Sequence, residues 1–153
     1  MKNKIIKIIN ISLLLLCMIS IFLFSSQDRD TSTNTSVETT KVIVTSVKVD
    51  EEKADYIADN YFRVIRKSAH IIEFFCLGVL VINVIKDYKS INYKWLLLGL
   101  LFCMLYAISD EIHQLYVPGR SCEFKDMLID TIGSGIGIII YYLIGRKQLV
   151  LKN

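Results

Sequence analysis

Four apolar runs, at residues 5–24, 68–85, 95–112 and 127–144, constrain this chain more than any other feature. At a rise of about 1.5 Å per residue each is long enough to cross a hydrocarbon layer of about 30 Å. The chain is 153 residues long, 53% hydrophobic and 22% charged, with one proline, and its mean hydropathy is +0.46. A water-soluble core needs no such excess, so the expected fold is an all-α membrane protein with four transmembrane helices.

The first run follows Lys2, Lys4 and Lys7 and precedes Ser25-Ser26, as a secretory signal would. It is longer than the apolar stretch of a typical signal, about 7–15 residues, and Phe24 breaks the small-x-small pattern before a cut. A retained anchor is therefore expected. Basic residues set the orientation: Lys2, Lys4 and Lys7, then Lys86, Lys89 and Lys94, then Arg146, Lys147 and Lys152 cluster on alternate sides of the runs, with Asp87 the one acid among them. The positive-inside rule gives both termini inside and residues 25–67 and 113–126 outside, in a cell membrane.

The outer loop has two textures. Residues 28–46, rich in Ser and Thr and without a helical apolar face, are expected to be exposed and mobile. In residues 50–66, Ala54, Ile57, Tyr61, Val64 and Ile65 recur at helical spacing behind three acids. That pattern suits either an amphipathic interfacial helix or an outward extension of the second transmembrane helix.

The charges that do not belong to ordinary surface lie in residues 106–130, which run from one lipid-length segment straight into the next. Ionisable groups at that depth are expensive and mark functional sites. Counted from Trp95 at the inner interface, Asp110 lies about 22 Å up; counted from Arg66-Lys67, His70 lies about 5 Å and Glu73 about 10 Å deep; Asp130 lies about 6 Å beyond Asp126. Lys67, His70 and Glu73 share one helix face by spacing, as do Asp110, His113 and Gln114, and Asp126 and Asp130. Any one of these could be a structural polar group at the membrane edge. Three faces at one level instead predict a pocket between helices two, three and four, containing Arg66, Lys67, His70, Glu73, Asp110, Glu111, His113, Gln114, Arg120, Asp126 and Asp130, with Lys125 also at its rim. Pro118-Gly119 is expected to turn the chain after the third helix. It would set Arg120 over the pocket mouth, either to hold a carboxylate or phosphate or to neutralise Glu111, Glu123 or Asp126.

Cys17, Cys76, Cys103 and Cys122 form no C-x-x-C pair, and structural packing is their expected role. No phosphate-binding glycine loop, nucleophile elbow or zinc-protease motif occurs. Gly133, Gly135 and Gly137 in the fourth run suit close helix packing.

Several of these residues together resemble the VanZ family: Arg66-Lys67-Ser68-Ala69-His70 with Glu73-Phe74, Ser109-Asp110-Glu111-Ile112-His113-Gln114, Pro118-Gly119-Arg120, Asp126 with Asp130, and Phe24-Ser25-Ser26-Gln27. The resemblance extends from about residue 5 to residue 145, apart from a divergent outer loop, and the motifs are specific in combination. It implies a four-span membrane protein of a family whose founding member is associated with low-level resistance to teicoplanin, a role many members lack.

Two functions of different class follow. The pocket binds an anionic envelope component, with membrane lipids, a lipid-linked wall precursor or a lipoglycopeptide as candidate ligands and no nucleic acid; this requires no cofactor. Alternatively, the protein is an intramembrane enzyme acting on a lipid-linked phosphate or amide. There Glu73, Asp110, Asp126 and Asp130 would hold a divalent cation, with His70 or His113 as acid/base. Proton-coupled transport is a third reading, which four short helices would support only as an oligomer. The absence of a complete catalytic constellation favours binding.

Overall fold

The computed structural model describes residues 2–46 and 51–150 and is helical between short connections. In chain order the helices are α1 (Lys2–Ser25), α2 (Arg29–Ser46), α3 (Glu51–Lys86), α4 (Tyr93–Gln114) and α5 (Phe124–Val150). Four segments are long and apolar enough to cross a membrane: Lys4–Ser25, Arg66–Lys86, Tyr93–Gln114 and Phe124–Gly145. The expected all-α, four-span architecture is therefore observed.

The loop after the first span departs from expectation. Residues 29–46 form an 18-residue helix rather than a mobile coil. Asp28 starts it, its carboxylate accepting from Thr31 N at 2.8 Å and from Thr31 Oγ1 at 2.9 Å. These bonds satisfy groups that a helix start otherwise leaves open. The inward side is hydroxylic: Ser32 and Thr40 are buried, and Ser36 and Thr40 turn their hydroxyls back onto the carbonyls of Ser32 and Ser36. Small side chains with internally satisfied hydroxyls let α2 pack along α3 without an apolar stripe. The following segment resolves the other open question: α3 is one unbroken helix of 36 residues, so residues 51–65 extend the second span. With α2 antiparallel to it, that extension makes a helical hairpin beyond the bundle end.

Asp28 gives this hairpin a pH dependence. The bonds from Thr31 hold its carboxyl below the ordinary value of 3.8. The cap contributes fully above that value and is lost as pH falls through the lower, folded one. Protection of the first-turn amides of α2, measured against their intrinsic exchange at the same pH, is expected to fall on acidification below the ordinary value of 3.8, and Asp28→Ala should show the low protection at neutral pH as well. Equal exchange for wild type and variant would remove the cap from the account.

In the bundle, α3 packs against α1, α4 and α5. The core is Ile21, Phe74, Leu77, Val81, Ile82, Cys103, Ala107 and Ile138. The α3–α5 contact depends on glycine: a Cβ at Gly78 would lie 2.2 Å from Ser134 O, and one at Gly137 would lie 2.3 Å from Phe75 O. These backbones touch, which in lipid supplies van der Waals attraction where the hydrophobic effect between helices is missing. Helix α1 is the least enclosed span, presenting Leu14, Cys17, Met18 and Ile21 to the core.

The two bundle ends differ. At one, Asn10 donates to Asp87 Oδ2 at 2.7 Å, Lys7 Nζ lies over Tyr88, Lys86 over Tyr141 and Lys89 over Trp95. There Asn92 caps α4, its side chain accepting from the Lys94 and Trp95 amides. At the hairpin end, α4 and α5 are joined by a turn in which Arg120 N donates to Val117 O at 3.2 Å and Gly119 has φ 73°. Proline at the second position and a glycine of positive φ at the third give a type II turn.

Candidate functional site

The hairpin end holds a cavity of about 30 Å³ lined by Arg66, Lys67 and His70 of α3, Glu111 and Gln114 of α4, Arg120 of the turn, and Asp126, Ile129 and Asp130 of α5. Eight of these nine are polar. Residues 66, 70 and 126, 130 each stand one turn apart, so two levels about 6 Å apart line the cavity.

Most of the polar groups are tied to one another. Lys67 Nζ donates to Asp126 Oδ1 at 2.6 Å and lies 3.6 Å from Glu123 Oε2, bridging α3 to α5. Buried Glu111 accepts from the Glu123 amide at 2.9 Å and from Gln114 Nε2 at 3.2 Å. Gln114 Nε2 is shared with Asp110 Oδ2 at 3.1 Å. An acid buried near lipid is tolerated when donors surround it, and here one amide side chain serves two acids.

Arg120 serves a purpose not anticipated for it. Its guanidinium donates to Gln27 O at 3.0 Å, to Phe24 O at 3.3 Å and to Gln114 Oε1 at 3.2 Å. It thus closes the carbonyl end of α1, where a cation is favoured, instead of pairing with Glu111, Glu123 or Asp126. Burial, with Arg66 nearby, holds Arg120 below its ordinary pKa, against the pull of Asp110 and Glu111.

Three residues in the expected pocket set stand outside the cavity lining: Glu73, Asp110 and His113. Asp110 is buried and accepts from Ser25 Oγ at 2.7 Å. His113 packs its ring on Phe22, with centroids 4.5 Å apart, and its Nε2 lies 3.1 Å from Ser26 Oγ. Glu73 sits where α3 meets α1, its carbonyl 3.9 Å from Cys17 Sγ. Asp110 and His113 thus attach α1 to α4. Ser25, Ser26 and Gln27 are the partners that residue spacing did not single out; the signal present for them was a run of polar residues closing an apolar helix.

A different set of groups stays unengaged. Arg66, His70 and Asp130 line the cavity, yet none makes a side-chain hydrogen bond or ion pair among the described residues. His70 stacks on Phe74, with centroids 6.4 Å apart. Asp130 is 2% exposed. Among the described residues no enclosed side-chain polar atom lacks a partner, so the Asp130 carboxyl must open into the cavity. For the four carboxylates considered as cation ligands, Asp126 is committed to Lys67 and Asp110 to Ser25 and Gln114. No three His, Cys, Asp or Glu residues among those described are arranged to hold a metal ion.

Four lipid-length helices, three of which line a polar cavity at one bundle end, define a multi-pass helical membrane protein. The chain belongs to the VanZ/LLP1 family, whose model matches residues 10–145. That match takes in most of the first span, the other three and every cavity residue. Comparison with curated proteins and with solved structures finds no match.

Proposed function

We propose that this protein resides in the cell membrane with its hairpin end outward, and that the cavity binds an anionic component of the envelope: a lipid head group, a lipid-linked wall precursor or a lipophilic glycopeptide. Tolerance to a glycopeptide such as teicoplanin would follow from that binding. The observation that carries the reading is the contrast within the cavity: Lys67, Glu111, Gln114, Arg120 and Asp126 satisfy one another, whereas Arg66, His70 and Asp130 line the space with no side-chain hydrogen bond or ion pair among the described residues. A guanidinium left free at the mouth suits two-point capture of phosphate or carboxylate. The basic residues at the opposite end support the orientation.

Arg66→Gln is expected to leave the protein inserted and folded while reducing co-purified anionic amphiphile about tenfold, the loss of one charge-assisted contact. The check is mass spectrometry of the material extracted from wild type and variant purified in parallel. An unchanged profile at equal protein yield would overturn the binding reading, and a new covalent species in cells expressing the protein would replace it with an enzymatic one.

A further inference from the structure

The unengaged groups differ in sign. Arg66 is a cation at the mouth, and Asp130 is an acid one turn further in, at the level where His70 also lines the cavity. A simple anion would satisfy Arg66 and leave the acid facing it. We propose that the preferred ligand is a zwitterionic phospholipid head group ending in a primary amine, with its phosphodiester at Arg66 and its ammonium at Asp130 and His70. This rests on the reading above that Arg66 captures a phosphate or carboxylate, and adds to that anionic group an amine for the acid below it.

Three observations lead there. The first is Asp130 itself, 2% exposed and without a side-chain partner among the described residues. A buried acid left unpaired costs free energy that an ammonium recovers through a charge-assisted hydrogen bond. The second is spacing. Arg66 and His70 are one turn, about 6 Å, apart on α3. The four single bonds from phosphorus to nitrogen in phosphoethanolamine, about 1.5 Å each, extend to about 5 Å. The third is volume. A water needs about 10–15 Å³ measured in this way, so a cavity of about 30 Å³ admits a compact ammonium but not the three added methyl groups of choline. The depth is also that of a head group, since Arg66 and Phe124 begin two of the lipid-crossing segments.

The decisive experiment uses the full-length protein in detergent and native mass spectrometry. It is presented with matched-chain phosphatidylethanolamine, its N-methyl and N,N-dimethyl derivatives, phosphatidylcholine and phosphatidylglycerol at equal concentration. The ethanolamine adduct is expected to exceed the choline adduct about tenfold, one lost ionic contact, with a stepwise fall along the methyl series. Asp130→Asn should flatten that series, and Arg66→Gln should weaken the ethanolamine and glycerol lipids together. The methyl series on wild type decides the matter even where Asp130→Asn fails to fold. Equal ethanolamine and choline adducts that both fall in Arg66→Gln would overturn the amine inference and leave anion binding standing. Adducts indifferent to Arg66→Gln would overturn both. Soluble phosphoethanolamine at the same concentration should not displace the lipid; full displacement would overturn the lipid assignment in favour of a free phosphoamine.

Discussion

Gly137→Ala is expected to cost about 3 kcal/mol of bundle stability, the upper part of the range for overpacking a tight contact. The single methyl group would lie 2.3 Å from a backbone oxygen, Phe75 O, which no rotamer change can move aside. The two helices have to separate, and with them the cavity walls, because Arg66, Lys67 and His70 stand on α3 while Asp126, Ile129 and Asp130 stand on α5. Gly78→Ala, 2.2 Å from Ser134 O, should behave alike. Gly135→Ala is the control: its Cβ would meet Leu100 Cδ1 at an ordinary 3.6 Å, and a change near zero is expected. Thermal unfolding followed by fluorescence-detected gel filtration would rank the three. Similar melting for Gly135→Ala and Gly137→Ala would contradict the close backbone approach.

Arg120→Ala should be comparably severe by a different route. Three hydrogen bonds from one guanidinium join the α4–α5 turn to two carbonyls at the end of α1 and to Gln114. Hydrogen bonds to a charged group contribute about 1.5–3 kcal/mol each, and half-burial and non-additivity bring the expected total to about 3 kcal/mol. Lysine should not rescue, because one ammonium on a flexible stem cannot reproduce the fork that reaches Phe24, Gln27 and Gln114. The local readout is protease cleavage at residues 26–28, expected to accelerate in Arg120→Ala and to stay unchanged in Lys125→Ala, which removes an exposed charge. Equal cleavage in wild type and Arg120→Ala would show that the clamp does not hold α1.

The same residues show what was legible in the sequence. Span lengths were, because lipid thickness imposes them, and so was the level of the polar groups, because helical rise converts residue counts to depth. Direction around each helix was not. Spacing placed Asp110, His113 and Gln114 on one face, yet that face straddles two neighbours: Gln114 lines the cavity while Asp110 and His113 turn to Ser25 and Ser26. Separating them requires the position of α1, which no residue count supplies. Helix α2 escaped notice for a related reason. Its buried side is Ser32, Ser36 and Thr40, so the pattern that reveals most surface helices, an apolar stripe, is missing. The hydroxyls that make a sequence look like coil are here spent on the preceding turn's carbonyls.

The clamp on α1 also carries a consequence in time. Helix α1 is made first, but the groups that fix its far end, Asp110, His113 and Arg120, are made roughly a hundred residues later. Between those moments α1 is held at its other end, where Asn10 meets Asp87 and Lys7 lies over Tyr88, while its far end lacks its polar partners and can swing in the bilayer. Its final register is set when the α4–α5 turn arrives, so assembly of the cavity and capture of α1 complete together, late in the synthesis of the chain.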